Sequence, residues 1–120
     1  MKQVHVQVAE VRLDVGTDAR ALGGAVTLAL CGSWDHTPPC PLAAHHTQVV
    51  EGDDGRHHVR VVFACEPEVE DEVRDIVNEA LGHGSLLTPD GELVRWRLTG
   101  YGAGELRDDE NGLGDRLREA

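Results

Sequence analysis

Aromatic side chains are nearly missing from this chain of 120 residues, which has two tryptophans, one tyrosine and one phenylalanine. The core must therefore be aliphatic, and valine and leucine supply it. Basic charge is scarce as well: 11 Lys and Arg face 22 Asp and Glu, for a formal net charge of -11. A field of that sign repels phosphate backbones and anionic lipid, which argues against nucleic-acid and membrane-surface partners. The longest basic cluster in sequence is Arg56, His57, His58 and Arg60, and two of its members are neutral at pH 7. No stretch approaches the roughly 18 apolar residues of a membrane span. Cysteine is limited to Cys31, Cys40 and Cys65. The odd count, with an N-terminus that alternates like a strand rather than a leader, predicts a reduced, cytoplasmic protein without a disulfide framework. There is no P-loop, no G-x-S-x-G and no H-E-x-x-H. Gly100-Tyr101-Gly102-Ala103-Gly104 has the glycine spacing of a phosphate cradle, but no strong helix pattern follows, so it reads as a flexible exit from a strand.

What is present fits one domain, since 120 residues can bury enough surface to fold without a metal or a disulfide. Val4, Val6 and Val8 alternate with polar neighbours, and the alternation slips near Ala9 and Glu10 before Val11 and Leu13 resume it. This predicts a long strand with a bulge or bend at the slip. Residues 17 to 31 support two readings. Leu22, Ala25, Val26 and Ala29 fit a helical stripe, whereas Val26, Leu28 and Leu30 alternate as a strand. The tandem Gly23-Gly24 would cost a helix interior about 1 kcal/mol per glycine, which favours the strand. Strands at 46–51 and 57–65 flank the polar turn Gly52-Asp53-Asp54-Gly55 as a hairpin. Glu66-Pro67 then opens a helix with Val69, Val73, Ile76, Val77 and Ala80 as its apolar stripe. Pro89-Asp90-Gly91 marks a turn, and Val94, Trp96 and Leu98 alternate in a final strand. Residues 101–120 read as a flexible, mostly solvated acidic tail with room for a short helix near Leu113 to Arg118.

The expected fold is therefore α+β: a mostly antiparallel sheet of four to five strands with one face covered by helix. Its order is β-β-β-β-α-β, or, with a helix at 17–30, the ferredoxin-like β-α-β-β-α-β.

Chemistry concentrates between Cys31 and His46. Cys31, His36, Cys40 and His45 follow the spacing C-x4-H-x3-C-x4-H, with His46 adjacent, in a proline-rich segment without apolar periodicity. Thiolate and imidazole are zinc ligands, so a structural or accessory zinc site is the leading functional expectation. Asp35 would orient the His36 imidazole and Trp34 would lid the loop. The same residues allow a Cys31–Cys40 disulfide or a small thiol- or metal-dependent enzyme. Cys31 and Cys65 equally suit plain core positions. A second arrangement groups His5, His45 or His46, and His57 or His58 on one sheet face. The non-catalytic alternative is a protein-interaction or dimerisation domain using the open sheet face, with Val62, Ala64, Ala25 and Ala29 among its members. Its acidic helix and tail would select a basic partner.

Overall fold

The computed structural model describes residues 1–14, 17–32 and 43–120. In chain order the elements are β1 (Gln3–Leu13), α1 (Arg20–Cys31), β2 (Ala44–Glu51), β3 (Arg56–Cys65), α2 (Glu70–Gly82), β4 (Ser85–Leu87), β5 (Leu93–Gly104) and α3 (Asn111–Glu119). The five strands form one sheet in the order β2-β3-β1-β5-β4, with antiparallel pairing throughout. The first two strands each leave the sheet into a helix or hairpin as the ferredoxin-like order requires. β4 is added as a short hairpin arm, and α3 follows the last strand.

The strand reading of residues 24–31 is corrected to a helix. The buried positions of α1 are Ala21, Leu22, Ala25, Val26, Leu30 and Cys31, which recur at helical spacing. Packing of this face against the sheet outweighs the glycine penalty, because tertiary burial rather than propensity decides most short helices. Gly23 is useful where it sits: a Cβ there would lie 3.6 Å from the Thr47 Cβ, so the small residue lets α1 lie close to β2. Gly32, at φ 77°, closes the helix in the left-handed conformation, and its N–H donates to Leu28 O. Among the described residues no helix is long and apolar enough to cross a membrane.

A β-bulge stands at the slip in the β1 alternation, as expected, but its extra residue is on the neighbouring strand. β1 pairs with β3 without interruption from Gln3 to Arg12. The register shift lies on the other side, where Glu10 pairs with Gly100 and Val11 with Leu98, leaving Thr99 as the extra residue in β5. On β1 itself the apolar pattern passes from one sheet face to the other. Ala9, Val11 and Leu13 join the main core under α1 and α2, with Val59, Val61, Phe63, Val73, Val77, Leu81 and Trp96. Val6 points the opposite way and is equally buried, at 1% exposure, with Val62 and Ala64 beside it.

That second small core exists because the C-terminal segment folds back on the sheet. β5 continues through Gly104, and after a 3-10 turn at Asp108–Glu110 helix α3 lies against β1, β2 and β3. The expected solvated tail is thus strand to residue 104 and docked helix from 111. Its glycines serve close approach: Gly114 is buried, and a Cβ there would sit 3.4 Å from both Val4 methyls. At Gly104 a Cβ would come within 2.8 Å of Val8 Cγ1 and 3.0 Å of Val6 Cγ1. We therefore expect Gly104→Ala to destabilise the domain by about 1–3 kcal/mol through overpacking. Gly102→Ala, with nothing within 4 Å, should be neutral or stabilising. Urea unfolding of the two variants checks the contrast.

Candidate interaction surface

The expected ligand set divides into three parts. Trp34, Asp35, His36 and Cys40 lie outside the described residues. Cys31 ends α1 and is buried. His45 and His46 point to opposite faces of β2, as neighbours on a strand must. His45 faces the helices, where its Nδ1 donates to Ala43 O at 3.2 Å and its Nε2 accepts from Thr27 Oγ1 at 3.1 Å. The carbonyl can only accept, which fixes that tautomer and occupies both ring nitrogens. His46 is exposed on the outer face. Among the described residues no group of three or more His, Cys, Asp or Glu could hold a metal ion.

The histidine arrangement on the sheet is likewise dispersed. His5, His45 and His57 share the helix face, but Phe63 stands between His5 and His45 in the register. His57 lies six residues from Phe63 along β3, about 20 Å away, with Nδ1 donating to Gly55 O at 3.0 Å. His46 and His58 lie on the other face. Cys65 is free and buried, and burial, reinforced by the Glu70 carboxylate, pushes its thiol above the ordinary value. Such a thiol is a poor nucleophile. Beside it, Arg74 ties α2 to β1: its Nη1 donates to Val6 O and Gln7 Oε1, both at 2.7 Å, and its Nε donates to Glu70 Oε2 at 2.9 Å. Gln7 Nε2 in turn donates to Asn78 Oδ1 at 2.8 Å. This satisfied network reads as helix-to-sheet fastening.

The outer face of the sheet holds the arrangement that sequence order conceals. Residues opposite one another across antiparallel strands point the same way. Four rows can therefore be read across β2, β3, β1 and β5: His46, Val62, Val6, Gly104; then Gln48, Arg60, Val8, Gly102; then Val50, His58, Glu10, Gly100; and finally Arg56, Arg12, Arg97. Helix α3 covers Val62 and Val6 of the first row and leaves His46 at its end exposed. The middle two rows line an open groove of about 420 Å³ whose wall on the α3 side includes Arg107. Gly100 and Gly102 contribute no side chains, so this part of β5 is bare floor.

At the α3 edge of the groove one charged contact is well built. Arg60 Nε donates to Glu110 Oε2 at 2.8 Å and Arg60 Nη2 to Glu110 Oε1 at 2.5 Å, with both side chains close to nine-tenths buried. Glu110 also accepts the Arg107 N–H at 2.8 Å, and Arg60 Nη2 reaches Glu105 O. The Arg60 hydrogen bonds dominate and hold the Glu110 carboxyl down at about 2, against the opposing effect of burial. This bidentate pair anchors the turn that carries α3 onto the sheet.

At the far edge stand three arginines side by side, Arg56, Arg12 and Arg97, from three different strands. Arg95 projects from the same face of β5 one pleat further on. Like charges placed directly opposite are destabilising. Arg12 Nη1 donates to Asp54 O at 3.1 Å, but among the described residues none of the four forms an ion pair. The sequence reading finds no basic patch; the register assembles one from positions more than forty residues apart. Of the open-face members expected from sequence, Val62 and Ala64 do lie on this face but beneath α3, whereas Ala25 is buried in α1. Comparison of the chain with protein-family models, with curated proteins and with solved structures finds no match.

Proposed function

We propose that this protein is a non-catalytic interaction domain, and that the uncovered part of its outer sheet face receives a protein partner bearing carboxylates. The observation that carries this reading is the groove between α3 and the arginine row, because it joins exposed backbone and the exposed side chain of Val50 to a cluster of four arginines against which Asp14 is the one carboxylate in the shared pocket. An acidic chain with one basic face attracts an acidic surface only in one orientation, which favours specificity over general affinity. The partner's sign is the reverse of the one expected from overall charge, since the local field at the face outweighs distant charge beyond a Debye length of about 8 Å.

Metal plays no part in this reading. The described ligands diverge, and the helix-facing histidine of the pair already has both ring nitrogens engaged. Elemental analysis of protein purified without a histidine tag or chelator tests this directly. Zinc well below one equivalent is the expected result. A full equivalent of zinc that protects Cys31 would reinstate the Cys/His loop as the functional centre.

A further inference from the structure

The outer face carries both halves of a complementary pair, and we infer that the acidic partner is a second copy of this chain. The inference rests on the reading of that face as an interaction surface. Between Gly104 at the end of β5 and Glu110, which is held by Arg60 on β3, the chain crosses the sheet in one short loop. That loop presents Glu105, Asp108 and Asp109, all exposed and none of them in an ion pair among the described residues. It spans the same three strands, β5, β1 and β3, as the arginine row. Loop and row are separated by the groove, at a spacing of four residues along β1, Val8 to Arg12, or about 13 Å.

A two-fold axis lying in the interface along the Val50, His58, Glu10, Gly100 row exchanges these two edges. The acidic loop of each copy then falls on the arginine row of the other, twice by symmetry, while the floors meet at the axis, where Glu10, which accepts a hydrogen bond from Thr99 Oγ1 at 3.3 Å, faces its own mate and opposes the contact. An isologous contact needs this kind of self-complementary surface. Asp14 shares the shallow pocket of Arg12, Arg95 and Arg97, so one carboxylate stands against these arginines; the counter-charge that the cluster still lacks comes from the loop of the neighbouring copy. Two chains of net charge -11 repel at long range, so the contact forms at physiological salt, where that repulsion is screened beyond about 8 Å and short-range pairs persist.

Charge reversal on the full chain tests the inference, read by sedimentation velocity from about 1 to 500 µM in 150 mM salt. The wild type should show a concentration-dependent dimer. Asp108→Arg with Asp109→Arg should weaken it at least about tenfold. The sign is diagnostic, because this change lowers the net negative charge and a non-specific effect would strengthen association. Arg95→Glu with Arg97→Glu should weaken it similarly, and the four substitutions together should recover dimerisation to within about threefold of wild type. Arg20→Glu, on the helix side, should change nothing, and circular dichroism confirms that each variant is folded. A wild type that stays monomeric throughout, or a fourfold variant that fails to recover, overturns the inference. In the monomeric case, titration with a hexaglutamate peptide separates the two readings. Binding that Arg95→Glu with Arg97→Glu abolishes keeps the acidic-partner surface and rejects only the second copy; no binding rejects both.

Discussion

Glu110→Gln is expected to cost about 3 kcal/mol of stability at pH 7, measured by urea unfolding. The substitution keeps the shape of the side chain but leaves the largely buried Arg60 guanidinium without its counter-charge. The same group sets an acid transition. Its carboxyl is held at about 2, below the ordinary 4.5. A depressed carboxyl contributes stability that is fully present above the ordinary value and is lost as pH falls from there toward the folded one. The wild type should therefore lose most of this contribution between about pH 5 and pH 2, and the Gln variant should lack that segment of the profile. Equal pH profiles for the two proteins would show that the pair does not anchor the C-terminal turn. The structural readout is release of α3, which packs over the outer-face positions of β1 and β3 that include Val6, Val62 and Ala64.

Phe63→Ala should be the most destabilising single change in the main core, by about 3–5 kcal/mol. Phe63 is the single phenylalanine of the chain and is fully buried, at 0% exposure. Its ring lies 5.4 Å from that of His5 and beneath the Arg74 guanidinium, also at 5.4 Å. Most of the surrounding core is valine, leucine and alanine, and its larger neighbours His5 and Arg74 are tied to Glu70, Val6 O and Gln7, so the space refills only in part. Against a typical total of about 5–15 kcal/mol for a domain of this size, the variant should melt well below the wild type. Phe63→Leu should cost clearly less, because most of the volume is kept. A Phe63→Ala loss under 1.5 kcal/mol would place the packing centre elsewhere.

The sheet was readable in the sequence because its signals are local. The period-2 runs at 57–65 and 93–99 and the apolar stripe of α2 each lie within one element, and each stands where the pattern predicts. Residues 17–31 were not decided by local rules: Gly23 and Gly24 carry a helix penalty, and what overrides it is contact with Thr47, in another element. The β1 slip is legible only once two cores are known to exist. Val6 and Val11 are both buried, one under α3 and the other under α2, and a pattern search that assumes a single buried face must read the change of side as a defect.

The candidate surface was harder to read for a geometric reason. Arg12, Arg56 and Arg97 are ordinary solvated residues in their own segments, and the basic row exists only through the pairing register of three strands. Conversely, the Cys31 to His46 stretch looked like a site because ligand-capable residues crowd it in sequence. Adjacency on a strand separates side chains, and His45 and His46 face opposite ways. The bare stretch of β5 at Gly100 and Gly102 was read as flexibility; in the fold it is the floor of a groove.

The central claim, that this protein works through the outer face of its sheet, is tested most directly by amide NMR of uniformly labelled protein across a dilution series. The account predicts concentration-dependent shifts at Gly100, Gly102, His58, Arg97 and the Glu105–Asp109 loop, with the amides of α1 and α2 unmoved. Shifts centred on α1 and α2, or a spectrum that does not change while the chain sediments as a dimer, would contradict it.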